Sequence, residues 1–199
     1  MTVNAAFPLI RERHVSLTRE ALRGIFRDQR DVVLAGRSLG DEWDALLERA
    51  IFTRSRNTVA DIGGQVARKF RAEFDPDVLQ EWLTAIAGNA AVSINGSTRD
   101  ALDGSDDHVS VFEALVAGGV ARYAQTIVTT AANKGAREAA ERSGGRTKTW
   151  VSSGGPRHSG MNGQTVDIRS AFSNGMDVPG DPDGGADDVA NCRCSVTFD

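Results

Sequence analysis

Cys192 and Cys194 are the only cysteines of the chain and stand at C-x-C spacing. A disulfide between residues two apart is strained, and on a strand such residues point to one face. The pattern therefore favours reduced thiols or metal ligands, and it fits synthesis in a reducing cytoplasm. His158 adds an imidazole, so His158, Cys192 and Cys194 are three candidate Zn²⁺ ligands, with Asp181 or Asp167 as the candidate fourth. An ion there would help a segment whose apolar content is thin. The plainer alternative is two small, buried thiols. Two catalytic readings use the same residues. His158 could act as acid and base with Arg157 or Arg169 holding phosphate, or Cys192 could pair with His158 as nucleophile. Neither has a third partner. His14 and His108 lack the acid–histidine spacing of a metalloprotease, and Ser153-Gly154-Gly155 lacks the Gly-Lys-Ser/Thr ending of a phosphate loop. No catalytic residue is assigned, and no enzyme is expected.

These residues need a scaffold of short strands and turns. Thr147–Ser152, around Trp150, reads as a strand. Asn162-Gly163 is a hairpin signal that supplies positive φ angles, and Thr165–Ile168 follows as a second strand. Pro179-Gly180-Asp181-Pro182 is a turn with φ fixed on either side of Gly-Asp. Asn191 can bond nearby backbone and pin a last strand, Cys194–Phe198. Trp150 and Phe172 offer the largest apolar areas and should form the core of this region.

Upstream the period is helical. Residues 1–15 show no clear pattern, and Thr18 with Glu20 can open a helix that Gly36 ends. A second helix should start after the cap Asp41 and carry Trp43, Leu47, Ile51, Val59, Ile62 and Val66 on one stripe, weakened at Gly63-Gly64. Asp75-Pro76-Asp77 is a helix start. Residues 95–107 read as a turn-rich connection. A long helix should run from about Val109 to Arg142, with Gly118-Gly119 permitting close packing or a kink, and end at Ser143-Gly144-Gly145.

Composition divides the chain at the same place. Of 21 glycines, 10 lie from Gly144 onward, with three of the five prolines, whereas 18 of 23 Lys and Arg precede it. The expected fold class is α+β: a mainly helical N-terminal body over 1–145 and a small β-rich C-terminal module over 146–199. At 199 residues, one domain or two small ones are allowed. A net charge of −4 and a pI near 5.4 argue against sequence-wide coating of nucleic acid. The run Arg49, Arg54, Arg56, Arg68, Lys69 and Arg71 reads as a solvated helix face, with a contact to DNA or an acidic partner as the alternative. A mean hydropathy of −0.29 without a long apolar run gives no membrane span. Ala5–Ile10 is too short for a signal peptide and has no basic residue before it.

Taken in order, Lys148-Thr149-Trp150, Pro156-Arg157-His158, Met161-Asn162-Gly163, Phe172, Pro179-Gly180-Asp181-Pro182 and Asn191-Cys192-Arg193-Cys194 resemble the C-terminal region of the Mu F-like head morphogenesis family, the minor capsid proteins of tailed phages. The matching residues are Lys148, Trp150, Arg157, His158, Gly163, Phe172, Pro179, Gly180, Asp181, Pro182, Asn191, Cys192, Arg193 and Cys194. Tyr123–Gly145 is similar to the helix that leads into that region, so the likeness spans roughly residues 115–199. The chain departs from the family pattern Asp-x-Arg-x-x-His: Gly154-Gly155-Pro156 stands where the acid belongs, and His158 follows Arg157 directly. The resemblance implies a protein made in the host cytoplasm that enters the capsid interior in a few copies and acts in assembly, DNA packaging or ejection. Its implied partners are the portal protein and/or the major capsid protein, with packaged DNA and further copies around the portal as additional contacts. The alternatives from other classes are a nuclease or toxin-like enzyme centred on Arg157 and His158, and a zinc-binding interaction module.

Overall fold

A computed structural model describes residues 2–199 and shows the α+β architecture: a helical body with a small antiparallel sheet. A short strand β1 (Val3–Asn4) precedes the helices α1 (Pro8–Leu34), α2 (Glu42–Lys69), α3 (Gln80–Asp103), α4 (His108–Ala114) and α5 (Val120–Arg142). Strands β2 (Thr147–Val151) and β3 (Thr165–Asp167), the short helix α6 (Ala186–Val189) and strand β4 (Ser195–Phe198) follow. The sheet order is β1-β4-β2-β3, all antiparallel, with Val3 opposite Phe198, Trp150 opposite Val196 and Thr149 opposite Thr165.

Two expected boundaries move. Helix α1 opens at Pro8, not at Thr18, because proline at the first helical position has the right φ and lacks only a donor that would be unpaired there. Its inner face is His14, Thr18, Leu22, Phe26 and Gln29, so polar residues interrupt the apolar period. Helix α3 runs through residues 95–103, which read as a connection. Asn95 and Thr98 are buried there: Gln29 donates to Asn95 at 2.9 Å, and Asn95 donates to Asp44 at 2.7 Å. Arg99 then grips Asp44 at 3.0 Å and the carbonyls of Leu39 and Gly40 at 3.1 Å each. Gln29 Nε2, Asn95 and Arg99 find partners in this network and Thr98 Oγ1 donates to the Ile94 carbonyl at 2.9 Å within α3, while Gln29 Oε1 has no hydrogen-bond partner.

The other helix signals fall where expected, with differences in detail. Gly36 ends α1 with φ +78°. Asp41 precedes α2 without a side-chain cap bond, whereas Asp75 accepts from the Asp77 N–H at 2.9 Å ahead of α3. The helix expected from Val109 is continuous from His108 to Arg142, but a π-turn over Leu115–Gly119 joins α4 to α5. Such a turn inserts residues into the helical spacing and redirects the faces that follow.

Helix α5 is the axis of the molecule. Gly135 lets it approach α2: a Cβ there would lie 2.9 Å from the Val59 Cα. Ala132, Ala136, Ala139 and Ala140 present a small-residue face to the sheet, where they share a core with Val3, Ile62, Val66, Trp150, Phe172, Met176, Val196 and Phe198. Strand β1 and α2 thus help bury the sheet that closes the chain.

Candidate metal centre

The turn Pro156–Met161 carries His158, and the segment between α6 and β4 carries Cys192 and Cys194. The His158 ring packs edge-on against Trp150 with centroids 5.2 Å apart, and Trp150 packs edge-on against Phe172 at 5.1 Å. Arg157 donates to the Ala190 carbonyl at 2.7 Å, tying the turn to the end of α6. These contacts turn Nδ1 of His158 towards both sulfurs: Cys192 Sγ is 3.6 Å away and Cys194 Sγ 3.5 Å. All three side chains are buried, and their donor atoms lie within 4.8 Å of one another. The cluster could hold a metal ion.

The cysteine segment is pinned from α5. Thr126 Oγ1 accepts from the Asn191 N–H at 2.9 Å, and Thr129 Oγ1 donates to the Cys192 carbonyl at 2.7 Å. Thr130 Oγ1 donates to the Gly180 carbonyl at 2.6 Å. Asn133 Nδ2 donates to the carbonyls of Pro179 at 2.8 Å and Cys194 at 3.0 Å. Residues 126, 129, 130 and 133 line one helix face. That spacing was visible in the sequence, but a stripe of polar residues on a buried helix does not announce what it bonds. Asn191 contributes differently from expectation: its backbone takes the left-handed region at φ 56°, which asparagine tolerates, and its N–H makes the contact.

The two thiols form an unequal pair. Cys194 is pushed down from the usual thiol range, chiefly because Cys192 donates to its sulfur, with the Ser153 N–H and His158 adding to the effect against burial. Cys192 is pushed up, first by that same hydrogen bond and then by burial. Arg11 is half-buried nearby, with its Nε enclosed; desolvation lowers its pKa to about 10 against the opposing pull of the two thiols. It donates to the Asn133 side chain and, at 3.3 Å, to the Ala5 carbonyl.

The expected fourth donor is not where the sequence put it. Asp181 accepts from the N–H groups of Asp177 at 2.7 Å and Asp183 at 3.2 Å, and Asp167 accepts from the Arg169 N–H at 2.9 Å. Both carboxylates are used to shape turns. The acid beside the cluster is Asp188, with Oδ1 3.7 Å from Nε2 of His158, on the far side of the ring from the sulfurs.

The remaining motif residues are placed around this centre. Lys148 is fully buried, paired with Asp177 and 5.4 Å from the Phe172 ring centroid. Asp177 also faces Lys134 at 3.1 Å and Arg137 at 3.5 Å. Asn162 and Gly163 form the corner of a turn closed by the Gln164 N–H on the Met161 carbonyl at 3.0 Å. Only Gly163 has positive φ (+82°), and Asn162 sits at φ −60°, ψ 125°, so the turn is type II rather than the doubly left-handed hairpin form. Gly180 has φ +83°, and a Cβ there would meet Thr130 N at 3.2 Å. Arg193 is exposed and borders, with Arg157 and the three donors, a cleft of about 300 Å³. Arg169 is engaged by Glu141 across the sheet edge.

No helix of the described residues is long and apolar enough to cross a membrane. Comparison with protein-family models, with curated proteins and with solved structures finds no match to this chain.

Proposed function

We propose that this chain is a minor capsid protein of a tailed phage, acting in head morphogenesis in association with the portal on the inside of the head. The observation that supports this reading is the use made of the motif residues. Lys148 is buried against the half-buried Asp177 carboxylate, Trp150 and Phe172 make the core, Gly163 and Gly180 make corners, and Asp181 caps a turn. The residues that carry the family likeness thus serve to build one docking unit on α5, as a scaffold or connector protein requires. In this reading the module binds the portal or the major capsid protein, and the helical body makes the remaining contacts. Isolating procapsids and mature virions from an infected host tests it: the chain should co-purify with the portal in both, and its absence from both overturns the reading.

The ion assigned to the cluster is Zn²⁺. Zinc bonds thiolate at about 2.3 Å and imidazole at about 2.0 Å, so a tetrahedral angle places sulfur and nitrogen about 3.5 Å apart. The two observed separations are 3.6 and 3.5 Å. Elemental analysis of the purified protein should give one zinc per chain, lost in Cys192→Ser.

A further inference from the structure

Three donors leave a tetrahedral zinc ion one position short. Structural zinc sites complete the set with protein, whereas sites with three protein ligands hold an exchangeable molecule. Among the described residues, no fourth histidine, cysteine or carboxylate joins the cluster, and Asp181 and Asp167 are spent on backbone N–H groups elsewhere. The donors border a cleft of about 300 Å³ whose rim includes Arg157 and Arg193.

We propose that zinc at His158, Cys192 and Cys194 keeps an open fourth position facing this cleft, that it takes an oxyanion there, and that Asp188 is the positioning residue for His158. The proposal rests on the zinc assignment above. Two thiolates cancel the charge of Zn²⁺, so a neutral imidazole leaves the centre uncharged, and a bound oxyanion makes it negative. Exposed guanidinium groups at the rim offset that charge and suit the forked geometry of phosphate or carboxylate oxygens. Asp188 acts from the other side. Nε2 of His158 is buried without a hydrogen-bond partner, and the Asp188 carboxylate stands 3.7 Å from it. A ligating histidine donates its second ring N–H to such a carboxylate, which fixes the tautomer and the ring plane. A small approach of Asp188 satisfies Nε2 and commits Nδ1 to the metal.

The test uses the full chain with Co²⁺ in place of zinc, read by the visible absorption of the cobalt, with inorganic phosphate as the probe at constant ionic strength. Phosphate should shift the bands in a saturable way. Arg193→Gln should weaken that titration about tenfold while leaving the metal content at one per chain. Asp188→Asn should weaken zinc affinity about 10- to 100-fold in competition with a chromophoric chelator. Asp188 is partly exposed, with 43% of its side-chain surface accessible, so this variant should keep the parent circular dichroism spectrum. One metal per chain with bands that ignore phosphate overturns the open position but leaves the zinc assignment standing. Unchanged zinc affinity in Asp188→Asn overturns its positioning role. A parent protein that binds no zinc overturns the assignment itself.

Discussion

Replacing Asn133 by alanine removes a side chain that makes three polar contacts at once. Its amide nitrogen serves the Pro179 and Cys194 carbonyls, and its oxygen accepts from Arg11. Asn133 is fully buried, so water has no ready route to replace them. Each stranded carbonyl costs about 1–2 kcal/mol, and the lost bond to a charged guanidinium about 2 kcal/mol more. The expected destabilisation is about 5 kcal/mol, a large part of the roughly 10–30 kcal/mol that a chain of this size has. With an unfolding entropy of about 2.1 cal/mol/K per residue, that lowers Tm by roughly 12 °C. Thermal and urea unfolding, followed by circular dichroism and tryptophan fluorescence, measure it. Thr126→Val is the control: its hydroxyl accepts from the Asn191 N–H and donates to the Arg122 carbonyl, both at exposed positions, so a loss of about 1 kcal/mol is expected. The double variant with Arg11→Met should be less destabilised than the sum of its parts, because both changes remove the same contact. If Asn133→Ala melts within 3 °C of the parent (about 1 kcal/mol), the amide does not hold the turn and the cysteine segment against α5, and the reasoning fails.

Two glycine-to-alanine changes should move stability in opposite directions. Gly135→Ala drives a Cβ to 2.9 Å from the Val59 Cα and should cost about 1–3 kcal/mol, whereas Gly96→Ala meets nothing within 4 Å and should gain about 0.5–1 kcal/mol from helix propensity. Lowering the pH should weaken the fold in two steps. Burial lowers the His14 pKa below 6.5 despite its bond to Asp61, so the unfolded chain takes up the proton first; stability falls from about pH 6.5 downward and levels below the folded value, and His14→Gln should flatten this step in urea titrations at successive pH values. Burial raises the Asp177 pKa, but Lys148, Lys134 and Arg137 outweigh it and leave it lowered; its contribution is complete above about 3.8, is lost as pH falls through the folded value, and should be missing in Asp177→Asn. A fragment beginning at residue 146 lacks both β1 and the hydrogen-bonding face of α5, and its circular dichroism should show no folded sheet; a cooperative melt of that fragment would contradict the shared core.

What could be read from the sequence depended on whether a residue's work was local. Gly36, Asp75-Pro76, Gly163 and Gly180 act on their own turn, so their residue types announced their geometry. The α+β class, the strand around Trp150 and the pairing of Trp150 with Phe172 were legible for the same reason: large apolar residues in a Gly- and Pro-rich segment have few other uses. The early start of α1 and the extension of α3 were hidden because Thr18, Gln29, Asn95 and Thr98 occupy core positions, where pattern reading expects apolar side chains. Gln29 and Asn95 pair with each other between α1 and α3, far apart in sequence, whereas Thr98 bonds the Ile94 carbonyl of its own helix. In the candidate metal centre, His158, Cys192 and Cys194 were identifiable by type, but their convergence depends on Arg157 reaching Ala190 and on Thr129 and Asn133 reaching the cysteine backbone. Asp188 and Asp177 gave no signal, since an acid in an acidic loop looks like solvated charge until a partner is placed beside it.

The order of strands in the sheet has a consequence for the timing of folding. Strand β4 comes after every other strand in the sequence yet lies between β1 and β2. During synthesis β1, β2 and β3 emerge first, and β1 has no neighbour to pair with until β4 arrives. Until then β2 keeps an unpaired edge beside Trp150, the kind of edge that recruits strands from other chains. The α5 face of Thr126, Thr129, Thr130 and Asn133 is finished long before, and it stands ready to receive the cysteine segment that leads into β4. The late strand therefore arrives at a template already built, and its insertion closes the interval in which the chain is exposed to its neighbours.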